Sequence, residues 1–599
     1  MKEERLKGGE FLLKESNQHT IYVPEMITQE QEMISNSAKD FFINEVHPVL
    51  DRLDAQEEGL TLSLLEKAEK LGFLGISIPA EYGGMELDFN TETYFFEQLG
   101  IAHSFALSLG AHIGIGTLPI LYFGTEAQKK KYLPMIACGK TKAAYCLTEP
   151  TSGSDALSAK TKAVLNKEGS HYILNGQKMW ITNGGFSDLF TVFVQVDGSH
   201  FTAFLVDAHS KGVRLGEEEK KMGIKGSSTR QVFFENVEVP VENLLGEIGK
   251  GHRIAFNTLN IGRFKLGNGV TGGAKSMLVH ALSYANERVQ FNQPIGEFGA
   301  IQHKIANMAI KIYGSESAVY RTSGLIHDLV NDKIESGEKS YMAKQIAAEE
   351  YAIECAMLKV YGSEIADQIV DETLQIYGGM GYSEELPIAR AYRDCRINRI
   401  YEGTNEINRL LTTGMLLKRA MGGRLDLMSS ALKLQQELMK PPENKPAFDD
   451  KLEELDHLIA QAKKAWLLVA ASAAQTLMDK LEKEQEIMML IADISMDIFI
   501  AESSLLRTRL LIDKHGKDKA SVLLSMTKVL VTELMQSSYQ RGKEALCGFV
   551  KEDMLAMQLG GLKRLTGHKA INLIEERRKI AKAFLEKGDY YLMKEFKLK

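Results

Sequence analysis

The placement of proline constrains this chain most. All 12 prolines of the 599 residues lie at or before Pro446, so residues 447–599 contain none. A proline inside a helix removes an N–H and clashes with the preceding turn, so a long proline-free stretch is open to long helices. Apolar residues there recur at helical spacing: Leu452, Leu455, Ile459, Ala462, Trp466 and Val469. The same pattern continues through 487–512 and 520–537. The spacing predicts an extra helical domain over 447–599, either a bundle packed on the rest of the chain or a module for dimerisation or membrane docking. Pro441, Pro442 and Pro446 cluster just before it, which predicts a linker over 421–446.

The front of the chain is also helical by pattern. Thr28 precedes Gln29-Glu30-Gln31, a capping-box arrangement, and residues 62–71 carry an amphipathic stripe. Gly100, Gly110, Gly114 and Gly116 punctuate an apolar region, for close helix packing or for ligand room. Residues 27–144 are read as a helical domain. Over 145–250 the period changes to strands, with β-branched and aromatic runs at 189–196, 201–206 and 231–239. Asn175-Gly176, between two strand-like runs, predicts a hairpin turn. Helical periodicity returns over 251–420, at 254–287, 300–329, 339–361 and 366–374. The fold class is therefore mostly α with a middle β domain.

Composition limits the function. A hydrophobic fraction of 44% with 25% charged residues fits a soluble globular protein. The net charge of −7 offers no basic field for nucleic acid. Five cysteines at wide spacing, with no C-x-x-C, suggest neither a disulfide framework nor a metal site. No leader pattern opens the chain, and the longest nearly apolar run, 465–474, is far short of the about 20 residues of a membrane span. The expected location is cytoplasmic. Residues 563–599 hold 11 Lys and Arg against 5 Asp and Glu, a basic end suited to anionic lipid or to a solvated helix face.

Five segments hold residues able to do chemistry. Tyr145-Cys146-Leu147-Thr148-Glu149-Pro150-Thr151-Ser152-Gly153-Ser154-Asp155 offers N–H and hydroxyl donors to an anion or ring carbonyl, or is an ordinary turn. Trp180-Ile181-Thr182 sets an aromatic beside a second donor loop, to shield a flat cofactor or to pack in the β core. Arg288, in Glu287-Arg288-Val289-Gln290-Phe291, has the planar fork that pairs with pyrophosphate, or makes a surface salt bridge. Gln375-Ile376-Tyr377-Gly378-Gly379-Met380-Gly381 allows close backbone approach to a ligand, or ends a helix. In Tyr401-Glu402-Gly403-Thr404, Glu402 sits among apolar and small residues. A partly buried carboxylate has a raised pKa and can act as a base near neutral pH; a cap or ion-pair role is the alternative.

Taken in this order, the five segments resemble the acyl-CoA dehydrogenase family over roughly 29–419. The resemblance implies a helical domain, a β-barrel domain and a four-helix bundle. The tail, with Lys220-Lys221-Met222-Gly223-Ile224-Lys225 and Asn260-Ile261-Gly262-Arg263-Phe264, is most similar to the very-long-chain branch, as a bacterial member. It further implies FAD as cofactor, an acyl-CoA substrate oxidised to trans-2-enoyl-CoA in β-oxidation, an electron-transferring flavoprotein as acceptor, a homodimer, and association with a membrane surface. Glu402 aligns with the catalytic base, and Gly262 occupies the position that holds the base in other branches. Tyr145, Leu147, Thr148, Ser154, Trp180 and Thr182 would line the flavin. Arg288, Phe291, Gln302, Gln375, Gly378 and Gly379 would come from the neighbouring subunit, with Thr404 and Glu406 completing the cofactor site. Ser154, Asn260, Arg263, Tyr401 and Gly403 would meet the substrate. An oxygen-using acyl-CoA oxidase and a non-catalytic assembly protein of the same fold are the rival readings. Acyl chain length is not legible.

Overall fold

The computed structural model describes residues 5–441 and 447–598. The first long helix, Gln29–Phe41, opens on the capping box expected there: Thr28 accepts from the Gln31 N–H, and the Gln31 side chain accepts from the Thr28 N–H. Phe89–Leu99 of this layer lies against the 37-residue helix Gly251–Glu287, while Ser104–Ala111 stands across a cavity from it. Glycine makes the closest approach possible. A Cβ on Gly100 would stand 1.9 Å from the Gly269 carbonyl oxygen, and one on Gly272 would stand 1.9 Å from that of Glu97.

The middle of the chain forms an eight-stranded sheet. Its order is β6 (Val213–Glu218), β7 (Thr229–Pro240), β3 (His171–Thr182), β2 (Lys162–Leu165), β4 (Leu189–Val196), β5 (His200–Asp207) and β8 (Leu244–Leu245), with β1 (Ala143–Cys146) pairing parallel to β4. The expected hairpin at Asn175-Gly176 is absent. β3 runs straight through it, and the β2–β3 turn lies at Asn166–Ser170 instead. The physical reason is a distant partner: the Asn175 side chain exchanges two hydrogen bonds with Asn236 of β7, of 3.1 and 2.9 Å. The register shifts there between Leu174 and Gly176, so Asn-Gly makes a bulge rather than a turn.

Beyond the sheet, Gly251–Glu287, Gly299–Glu335 and Ala352–Tyr377 pack together, and Asn405–Met421 joins them. The proline-free tail is helical: Lys451–Leu477, Gln485–His515, Ser521–Phe549, Glu552–Thr566 and Leu573–Lys587. It packs on the preceding helices through buried charge. Arg507 binds Glu25 and reaches Glu316 at 2.7 Å, and all three are shut away from solvent. Arg409 meets Asp493 at 2.7 Å. Residues before 27, given no role by the sequence pattern, tie the two halves together: Phe11 packs on Phe499, and Glu25 is the second carboxylate on Arg507.

The stretch expected as a linker, 421–446, contains the helix Leu427–Met439. Leu434 is buried and Lys464 bonds Glu437, so only its end remains as a connection; Pro442 and Pro446 lie outside the described residues. Much of the basic end is paired: Arg577 faces Glu533 and Lys597 faces Glu32, while Lys579, Lys582, Lys587 and Lys594 each face a carboxylate at the exposed surface. The stretch Ser104–Phe123 is long and apolar enough to cross a membrane, but 78% of it is buried inside the fold.

Candidate active site

A cavity of about 610 Å³ lies between the Ser104–Ala111 and Gly251–Glu287 helices, closed on a third side by Pro387–Cys395 and the loop after it. Gly100, Gly110 and Gly114 line it, so the glycine-punctuated region gives ligand room, with Gly100 serving close packing as well.

Glu402 enters this cavity from the turn before Asn405–Met421. Its φ of 58° is strained for a residue with a side chain. Several neighbours over-determine that turn. Arg263 donates to the Glu402 carbonyl at 3.2 Å, and Asn408 donates to the carbonyls of Glu402, Gly403 and Thr404. Lys359 donates to the Gly403 carbonyl at 2.7 Å and to Asn405 at 2.8 Å. Thr404 caps the following helix by accepting from the Ile407 N–H.

The carboxylate itself is left alone. Its Oε2 is buried without a hydrogen-bond partner, although the residue as a whole keeps some exposure. Facing it is Gly262, where a Cβ would stand 2.7 Å from Oε2. Burial pushes the Glu402 carboxyl up to about 7, while the positive charges of Arg263 and Lys359 hold it back. Burial also drops Lys359 to about 8. The remaining neighbours are polar, with Asn260, Arg263 and Tyr145 buried. Arg263 donates to Asn260 at 2.9 Å, Tyr401 donates to Asn398 at 2.6 Å, and Tyr145 donates to the Ala255 carbonyl at 3.4 Å.

Thr182 reaches the same cavity from the sheet. Trp180, two residues earlier, is 52% exposed with a φ of 59°, an aromatic face held outward by a bulge between Lys178 and Ile181. The loop carrying Leu147, Thr148 and Ser154 is anchored beneath by a buried ion pair the sequence reading missed. Lys178 donates to Glu149 at 2.7 Å and to the Leu147 carbonyl at 3.1 Å, and Glu149 also accepts the main-chain N–H groups of Lys160 and Thr161. Lys178 flanks the Trp180 segment, and that adjacency was the available signal. The Met179 N–H bonds the Thr148 carbonyl at 2.8 Å, tying the two donor loops together. Ser154 is exposed on this loop.

A second group gathers elsewhere. Arg288 and Phe291 follow the Gly251–Glu287 helix, Gln302 opens the next helix, and Gln375, Gly378 and Gly379 end the Ala352–Tyr377 helix. Phe291 is 88% exposed with a φ of 52°, and Gly378, at φ 59°, turns the chain where the helix stops. Stacking of Tyr284 on Tyr377 at 4.1 Å joins the two helix ends. None of these six residues lines the Glu402 cavity. Glu406 lies in the first turn after Thr404, exposed.

Four family models match in sequence order: acyl-CoA dehydrogenase N-terminal domain over 28–140, middle domain over 144–237, C-terminal domain over 249–417, and a further acyl-CoA dehydrogenase C-terminal domain over 461–564. A probable acyl-CoA dehydrogenase of Bacillus subtilis (strain 168) is 46% identical over 588 residues, 98% of each chain. The mitochondrial very long-chain specific acyl-CoA dehydrogenase of Homo sapiens is 41% identical over 395 residues, 64% of this chain and 56% of that one. Among solved structures, an acyl-CoA dehydrogenase from Bacillus anthracis complexed with FAD superposes with a TM-score of 0.95 at 48% identity, covering 98% of this chain and all of that one. Butyryl-CoA dehydrogenase from Megasphaera elsdenii gives 0.59 at 35% identity, covering 65% of this chain and 99% of that one.

Proposed function

This chain belongs to the acyl-CoA dehydrogenase family, and from that premise we propose that it binds FAD and oxidises a long-chain acyl-CoA to the trans-2-enoyl-CoA in fatty-acid β-oxidation. One observation carries the reading: a buried carboxylate, Glu402, stands unpaired in a cavity opposite a glycine. An ion-paired carboxylate would be a poor base, and an exposed one would have too low a pKa. Glu402 takes the substrate α-proton on Oε2. Arg263, Lys359 and Asn408 hold its main chain in the strained turn and so fix the direction of the side chain. The Glu402 main-chain N–H would hold the thioester carbonyl, with bound FAD supplying a second donor.

The residues fit a flavin. Trp180 presents a half-exposed ring next to Thr182, and the pinned loop of Leu147, Thr148 and Ser154 lies beside both. Bound FAD supplies the electron sink that accepts the β-hydrogen with its electron pair. Arg288, Phe291, Gln302, Gln375, Gly378 and Gly379 bind the pyrophosphate and adenosine of the partner subunit's cofactor in a homodimer. Their separation from the Glu402 cavity supports that reading, and a Cβ on Gly378 or Gly379 would meet only open space. An electron-transferring flavoprotein reoxidises the enzyme, and the tail domain rests on a membrane surface.

Chain length follows from the cavity. Its wall follows one helix from Gly262 to His280, roughly 27 Å at about 1.5 Å per residue. Gly269 and Gly273 line that wall, and Ala106 and Gly110 line the opposite one. The test is an anaerobic titration of the purified protein with acyl-CoAs of increasing length, following flavin absorbance. Bleaching that strengthens up to hexadecanoyl-CoA supports the proposal. A bound flavin that no acyl-CoA bleaches would overturn it. Equal recovery on liposomes with and without residues 447–599 would overturn the membrane role of the tail.

A further inference from the structure

The cavity does not end in an apolar floor. At its far end from Glu402 the lining changes to His47, His103 and His280, with Asp51, Glu384 and Arg390 beside them. Here the wall meets solvent: Glu384 and Glu385 are exposed, and so is the Asp51 side chain. The imidazoles of His47 and His103 lie 6.0 Å apart, and His103 faces Asp394 at 3.4 Å.

The charge at this mouth has a definite sign. Arg390 is committed to Asp51 and to Asp54, the latter at 2.8 Å, and Arg393 is committed to Glu384 at 2.9 Å. Asp394 and Glu385 add two further carboxylates. Five carboxylates thus outweigh two guanidinium groups. A CoA moiety, with its phosphates, would be repelled here, so this end receives the terminus of the acyl chain. The histidines complete the picture. Burial holds His47 and His280 below the ordinary imidazole range, so both are neutral near pH 7. His47 already donates its Nε2–H to the Ile101 carbonyl at 2.8 Å and so offers a hydroxyl only an acceptor, whereas a neutral His280 offers one donor and one acceptor, which is what a hydroxyl needs.

We propose that the distal mouth is a terminal-group subsite that accepts acyl chains ending in a neutral polar group, a hydroxyl above all, and rejects chains ending in a carboxylate. The inference rests on the acyl-CoA oxidation proposed above and adds a substrate class to it. A plain apolar pocket would penalise a buried terminal hydroxyl by about tenfold or more.

The experiment uses the holoenzyme and measures the anaerobic rate of flavin bleaching with hexadecanoyl-CoA, its ω-hydroxy derivative and its ω-carboxy derivative. The ω-hydroxy chain is expected within about threefold of the plain chain, and the ω-carboxy chain about tenfold slower or worse. His280→Leu is expected to shift the hydroxy-to-plain ratio against the hydroxy chain by about threefold, and His280→Gln to restore it. A wild-type enzyme that handles the ω-hydroxy chain more than about tenfold worse than the plain one, or no worse than it handles the ω-carboxy chain, would overturn the subsite. An unchanged ratio in His280→Leu would remove His280 from it. The wild-type series stands whether or not the variant folds. Failure of hexadecanoyl-CoA itself would sink the underlying function, and is thereby distinguishable from failure on the derivatives alone.

Discussion

Glu402 and Glu316 are the same residue type, Glu316 fully buried and Glu402 partly so with its Oε2 buried, and they have opposite fates. Glu316 sits at the junction of tail and core, where Lys275, Arg507 and Tyr590 all reach its carboxylate. Burial pushes its carboxyl upward, but those partners overwhelm the push and hold it down at about 2. Glu402 has the positive charges of Arg263 and Lys359 nearby, but they spend their hydrogen bonds on main-chain carbonyls and Asn side chains. Burial then dominates, and the carboxyl rises to about 7. Pairing, not burial alone, separates a structural carboxylate from one able to move a proton.

The largest effect expected from this contrast is on turnover. Glu402→Gln removes the proposed base while keeping shape, and acyl-CoA-dependent bleaching should fall by about a thousandfold or more, with flavin still bound. Near-normal bleaching would end the assignment. Arg507→Met is the corresponding break at the junction. It strands Glu25 and Glu316 without their guanidinium and should cost about 3–5 kcal/mol in denaturant unfolding. An unchanged unfolding midpoint would show that the cluster is not holding the tail.

The pH dependence of stability should run in opposite directions at the two sites. Glu402 has a folded pKa above its unfolded value, so its stability contribution is full below about 4.5 and is lost as pH rises through about 7. Glu402→Gln should therefore be more stable than wild type above pH 7, by on the order of 3 kcal/mol, and equal to it in acid. Glu316 has a depressed pKa, so its contribution is present above about 4.5 and lost as pH falls through about 2. Gly262→Ala should lower kcat/KM by about ten- to a hundredfold, because the new methyl displaces the carboxylate. The smallest effect is expected of Lys359→Met. It removes a charge that restrains Glu402, so the activity profile should move to higher pH by up to about one unit.

The contrast also explains what the sequence could and could not disclose. Thr28 and Gln31 cap a helix within one turn, and the Leu452–Val469 stripe follows one helix face, so local pattern suffices for both. Asn175-Gly176 reads as a turn locally, and only Asn236, some sixty residues on, makes it a bulge. The helix Leu427–Met439 was hidden behind its neighbouring prolines, because nearby breakers weigh heavily when packing on Lys451–Leu477 is unseen. Glu402 drew notice for its apolar neighbours in sequence. Its isolation depends on Gly262, Arg263 and Lys359 from two other helices, and no spacing rule brings those together. The histidines of the distal mouth come from three separate segments for the same reason.

The most direct test of the account is the rate of anaerobic flavin bleaching by hexadecanoyl-CoA, measured in the wild-type protein across a pH series. The account predicts a rate that climbs through pH about 7, as Glu402 loses its proton, and then levels off. A rate equal on both sides of that pH would contradict it.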